Sequence, residues 1–137
     1  CKKVCVFAAT LGMEMDRLIR AQTVRSGALG LMLSSLGSER IENACDALET
    51  IIRSATGLHL IRRFSPGYGD LSLTLQRHLF AWLQCEKYLG MRLSASLMML
   101  PEKSVTALIG LDDQACADSA KGGCASCSLT GCIYRKT

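Results

Sequence analysis

The chain has 137 residues and a net charge of +4, with 16 Lys+Arg against 12 Asp+Glu, one domain's worth of polypeptide. Two prolines and twelve glycines argue against a linker-dominated chain, and no run approaches the ~18 uninterrupted apolar residues of a membrane span. Basic residues are scattered, aromatics make up 5%, and no signal-peptide pattern opens the chain, so neither a nucleic-acid-binding face nor secretion is expected.

In chain order, the apolar run at residues 4–9 predicts a buried strand turning at Thr10-Leu11-Gly12. Helical spacing follows over residues 13–36, with Met15, Leu18, Ile19, Met32, Leu33 and Leu36 on one face and Gly27 and Gly30 weakening its middle. Gly37 is the expected stop, and Ser38 the expected cap of a second helix carrying Ile41, Ala44, Cys45, Leu48, Ile51, Ile52 and Ala55 at three-and-four spacing. Glu42, Asp46 and Arg53 fall on its flanks. Gly57 ends this helix, and residues 58–64 read as a strand carrying Arg62 and Arg63. A third helix is expected over residues 73–89, capped by Ser72 and buried through Leu75, Leu79, Trp82 and Leu83. Residues 91–93 and 104–111 read as strands, and residues 95–100 fit no single element. Strands and long helices without regular βαβ alternation indicate an α+β fold over residues 1–113, followed by a cysteine-rich tail at 114–137.

Between the second strand and third helix lies Arg63-Phe-Ser-Pro-Gly-Tyr68. Ser65, before proline, is pushed to extended geometry, Pro66 fixes φ near −65°, and Gly67 supplies the positive φ of a type II turn. Arg63 and Tyr68 then flank a rigid bend. A guanidinium fork suits a carboxylate and a phenol suits a flat or cationic group. The plain alternative is an edge-strand arginine followed by a packed turn.

Eight cysteines without a signal peptide point to a reducing, cytoplasmic setting. Cys1, Cys5, Cys45 and Cys85 lie in apolar stretches and read as core thiols. Cys116, Cys124, Cys127 and Cys132 lie among glycines that permit tight turns, and could hold zinc or an iron–sulfur cluster, form a redox disulfide, or remain free. His59 and His78 have no partner at catalytic or ligand spacing, and no nucleophile elbow or phosphate loop is present.

Arg63-x-x-x-Gly67-Tyr68, followed by Met98-Met99-x-Pro101 and Ser104-Val-Thr-Ala-Leu-Ile-Gly110, resembles the activation (reactivation) domain of cobalamin-dependent methionine synthase. Thr10-Leu11-Gly12, Asp16-Arg17-Leu18-Ile19, Gly37-Ser38 and the terminal Cys-x-x-Cys-x-x-x-x-Cys-x-Tyr-Arg are similar to the separate activation proteins of that family. The resemblance runs from about Thr10 to Arg135. It implies a twisted antiparallel sheet packed with helices, and S-adenosylmethionine held by its carboxylate on Arg63. Ser65, Pro66 and Gly67 would contact that ligand through the backbone, and Tyr68 would sit near its methyl-bearing end. A sulfonium wants a nearby carboxylate; of Glu39 and Glu42, at the start of the second helix, Glu42 is the better candidate. A glutamate there also simply favours the helix dipole.

The implied role is a non-autonomous component that remethylates the cob(II)alamin of a cobalamin-binding methionine synthase, with electrons from a donor such as a flavodoxin or ferredoxin. It would act by positioning and would supply no acid, base or nucleophile. The alternatives are an iron–sulfur or zinc-bearing redox or interaction protein for a corrinoid methyltransferase, and a module that only binds S-adenosylmethionine. The family's acidic ligand residue near the start of the domain has no counterpart in the matched segments, and without an initiator Met the chain reads as a processed or truncated piece.

Overall fold

A computed structural model describes residues 1–115. Over these residues five strands and four helices follow in the order β1 (Lys3–Thr10), α1 (Met13–Arg25), α2 (Gly27–Thr56), β2 (His59–Leu60), α3 (Leu75–Leu83), α4 (Cys85–Leu89), β3 (Arg92–Leu93), β4 (Met99–Leu100) and β5 (Ser104–Asp112). β5 is the centre of an antiparallel sheet of order β1-β5-β2, and β3 and β4 form a separate hairpin. The fold is α+β, as the sequence predicts.

The alternation of side chains across β1 and β5 divides the core in two. Phe7, Ala107, Ile109 and Leu111 face α2, where they meet Cys45, Leu48 and Ile52. Ala8 faces the other way, against Phe80, Cys85 and Met91. On that second face the buried Thr106 hydroxyl donates to Gln76 Oε1 at 3.0 Å, which ties α3 to the central strand. Among the described residues, no helix is long and apolar enough to cross a membrane.

The helical region departs from expectation in where it breaks. The chain turns at Ser26, whose backbone is extended (φ −157°, ψ 116°) and whose hydroxyl accepts from Leu29 N–H, and α2 then runs unbroken for 30 residues. Gly37 and Ser38 lie inside it. Gly37 is buried because a Cβ there would come within 2.9 Å of Met15 Cε, so it marks a close helix–helix approach instead of a stop. Ser38 satisfies its hydroxyl on Ser34 O and accepts from Lys103 Nζ. Gly30 plays the same part nearer the hairpin tip, against Thr23. Buried Asp16, at the start of α1, accepts from Glu102 N–H at 2.8 Å and fastens this helical hairpin to the turn before β5.

Two further expectations change. The predicted helix over residues 73–89 is divided by Gln84 in left-handed geometry (φ 48°, ψ 47°) and begins at Leu75, while Ser72 turns its hydroxyl to Thr74 N–H. Trp82 is 63% exposed, and the buried stripe is Gln76, Leu79 and Phe80. Cys45 and Cys85 are fully buried thiols, as expected, whereas Cys5 is half-buried and Cys1 exposed.

Candidate ligand-binding site

The predicted strand at residues 58–64 pairs regularly only at His59 and Leu60, opposite Asp112 and Leu111. Ile61 N–H still donates to Gly110 O, but the next contact is Phe64 with Leu108. Three steps along this strand therefore match two along β5, which is a one-residue β-bulge at Arg62 and Arg63. The bulge reverses the alternation. Leu58 and Leu60 face α2, so an unbroken strand would have pointed Arg62 there and Arg63 away. With the extra residue, Arg63 reaches α2, Arg62 stays exposed, and Phe64 joins Leu108 on the opposite face.

On α2, Arg63 meets three carboxylates. Its Nη2 donates to Glu42 at 2.5 Å, and its Nη1 to Asp46 at 2.6 Å and to Glu49 at 2.5 Å. The Arg63 side chain is 20% exposed and that of Glu49 23%, while Glu42 and Asp46 lie mostly in solvent. Burial works against the guanidinium's charge, but its hydrogen bonds to Asp46, Glu49 and Glu42 outweigh it and raise its pKa above the ordinary arginine value. Three carboxylates about one guanidinium leave two negative charges in surplus. Beneath them lies Cys45, whose pKa is raised chiefly by burial; Arg63 pulls it down and the three carboxylates push it up.

The bend after the bulge has the predicted geometry. Tyr68 N–H closes onto Ser65 O at 3.2 Å, and Gly67 has φ 91°, the positive value that the third position of a type II turn requires. Gly67 N–H donates to Leu71 O, locking the bend into a compact loop, and Pro66 is buried beneath it. Tyr68 is 73% exposed.

Of the residues singled out in the sequence, Arg63 and Glu42 are brought into direct contact, and Ser65, Pro66, Gly67 and Tyr68 form the adjoining turn. Glu42 is thus a partner of Arg63 in this structure. Asp46 and Glu49 belong to the same cluster. Their signal was the spacing of Glu42, Asp46 and Glu49, four and three residues apart on one helix face. Cys116, Cys124, Cys127 and Cys132 lie outside the described residues. Among the described residues, no group of three or more His, Cys, Asp or Glu side chains is arranged to hold a metal ion.

No family model and no curated protein matches the chain. Among solved structures it is similar to one described as the MetH reactivation domain bound to AdoHcy, with a TM-score of 0.71 and 23% identity over 82% of this chain. The chain spans 40% of that structure's length. At this level the likeness establishes a reactivation-domain-like fold.

Proposed function

We propose that this chain binds S-adenosylmethionine and acts as an activation component for a cobalamin-dependent methionine synthase, of the separate-protein type. The observation that carries the reading is the juxtaposition of a bulge-directed arginine and a rigid Ser-Pro-Gly-Tyr turn, within a fold shared with a domain that binds AdoHcy. S-adenosylmethionine carries one carboxylate and two cationic centres, the ammonium and the sulfonium. The cluster offers one guanidinium and three carboxylates, a complementary set of charges. The ligand's carboxylate would take the guanidinium fork by displacing one of the two exposed carboxylates, Glu42 or Asp46, and a displaced carboxylate would be free to face a cationic centre.

In this reading, Arg63 orients the ligand, the backbone of Ser65 to Gly67 cradles it, and Tyr68 lies toward its methyl group. S-adenosylmethionine supplies the methyl group, and the partner's cobalamin accepts it after one-electron reduction by a flavodoxin or ferredoxin. The chain's own contribution is position and exclusion of water. The cysteine tail, with Cys116, Cys124, Cys127 and Cys132, would hold zinc or an iron–sulfur cluster, form a redox disulfide, or keep free thiols.

A second reading rests on the completeness of the Arg63 contacts: the cluster is a staple that fastens the bulge to α2 and binds no ligand. Calorimetric titration of S-adenosylmethionine and AdoHcy into the full chain separates the two. The proposal expects binding that weakens by about 1.5–3 kcal/mol in Arg63→Ala. Absence of heat in the parent chain, or equal affinity in the variant, favours the staple. Rates of cobalt methylation with partner, reductant and labelled methyl donor then test the reactivation role.

A further inference from the structure

Across the sheet from Arg63, α3 and α4 meet at an elbow. α3 ends at Leu83, Gln84 takes left-handed geometry, and α4 sets off at Cys85. Between this elbow and Leu93 of β3 lies a groove of about 480 Å³, within the range of small-molecule sites. Its deepest lining is apolar, from Phe80, which is 8% exposed, and half-buried Leu93. Exposed Arg77, Ala81, Glu86 and Lys87 form the rim.

Phe80, Ala81 and Gln84 follow Arg77 by three, four and seven positions, so a guanidinium, a ring and an amide share one side of the elbow. Among the described residues, no carboxylate is within ion-pair distance of Arg77 or Lys87, Glu86 included. Lys87 Nζ stands instead 4.9 Å from the centre of the Tyr88 ring. Gln84 is the unusual residue. Where left-handed geometry closes a helix at Gly57 and Gly90, the chain uses glycine, which adopts it without strain. At the elbow it keeps a side chain despite the strain at Cβ, and that side chain lines the groove. Backbone strain of this kind gathers at ligand sites.

We propose that the elbow groove is a ligand site separate from the Arg63 cluster, taking a small organic anion with a flat apolar body, such as an aryl carboxylate or sulfonate. The charge balance selects this class. Two cations against one carboxylate on the rim attract an anion, and they disfavour S-adenosylmethionine, whose two cationic centres outnumber its carboxylate. The anionic group meets Arg77 and Lys87, with the Gln84 amide as a further donor, while the apolar body covers Phe80 and Leu93. Phe80 packs with Ala8 on the face of the sheet opposite α2, so occupancy here leaves Arg63 and its carboxylates untouched.

Fluorescence titration of the full chain with anilinonaphthalene sulfonate, and with uncharged N-phenylnaphthylamine, which has the same rings, tests the proposal. One saturable site for the sulfonate is expected, tighter than any for the neutral dye. Arg77→Gln and Lys87→Gln should each weaken it by about threefold to tenfold. Ala81→Glu, at an exposed helix position, sets a carboxylate in the groove and should abolish binding while leaving the thermal melt unchanged. Amide chemical-shift changes at Ala81, Gln84 and Leu93 of the parent chain locate the dye without any variant. Absence of saturable binding, which is also the result if residues 116–137 fill the groove, overturns the proposal. So does equal affinity for the two dyes, indifference to Ala81→Glu, or shift changes confined to other residues.

Discussion

Phe64, and not Arg63, lies opposite Leu108. That single offset turns an arginine that strand alternation would have aimed away from α2 onto Glu42, Asp46 and Glu49. The three carboxylates depend on it unequally. Glu49 is 23% exposed and Asp46 65%, so the loss of Arg63 leaves Glu49 with an unpaired charge that water reaches poorly.

Arg63→Ala is therefore expected to destabilise the fold by about 1–2 kcal/mol in urea denaturation, whether or not a ligand binds. Asp46→Asn should cost less than about 0.5 kcal/mol, in line with an exposed pair, and Glu49→Gln clearly more. Equal costs for Asp46 and Glu49 would show that burial does not grade the cluster.

The two glycines buried in α2 make a prediction whose sign opposes helix propensity. At an exposed helix position Gly→Ala stabilises by about 1 kcal/mol. At Gly30, a new Cβ would lie 2.1 Å from Thr23 Oγ1 and 2.8 Å from Thr23 Cα, so backbone has to move and the hairpin opens. Gly30→Ala should destabilise by about 1–3 kcal/mol. At Gly37 the obstacles are the flexible ends of Met15 and Lys103, which can swing aside, so Gly37→Ala should be the milder change. Thermal melts of the two variants give the ranking, and a stabilised Gly30→Ala would contradict the close crossing.

Gln76 and Thr106 are 2% and 1% exposed, and their hydrogen bond is the one polar link described between α3 and β5. Thr106→Val keeps the shape but leaves Gln76 Oε1 buried without that donor, at a cost of about 1–3 kcal/mol. The double variant Thr106→Val with Gln76→Leu should recover part of the loss, because both polar groups are then gone. Denaturation midpoints of the single and double variants check this, and the absence of recovery would remove the link from the account of the core.

What the sequence revealed depended on whether the determining contact was local. The Pro66-Gly67 turn follows from two residues with restricted or permissive φ, and it folds as read. The strand at residues 104–111 is rich in apolar and β-branched residues because it is the central strand, packed on α2 through Ala107, Ile109 and Leu111 and tied to α3 through Thr106, and it too was legible. Gly37 was misread because a glycine at a helix stop and a glycine at a helix crossing look alike until Met15 is brought beside it. The bulge left no mark in the sequence, since Arg62-Arg63 supplies the same residue type in either register and the offset is set by β5. Of the cluster, Arg63 and Glu42 were found and Asp46 and Glu49 were not. Their spacing was visible, but the cation they surround lies 17 and 14 positions away.

Cys45 offers a test of the same site through pH. Burial raises its pKa above the ordinary thiol value of 9.0, and the surrounding carboxylates add to that against the pull of Arg63. The native chain then keeps this proton where the unfolded chain has begun to release it. With fewer protons bound in the unfolded state, stability falls as pH rises above about 9 and goes on falling until the raised native value is passed. Below that window both states are protonated and the thiol contributes nothing. In Cys45→Ala the alkaline fall in unfolding free energy should be shallower than in the parent, by up to about 1.4 kcal/mol per pH unit. Denaturant titrations between about pH 7.5 and 10.5 measure both slopes, and parallel slopes would mean that the thiol ionises as readily inside the protein as outside it.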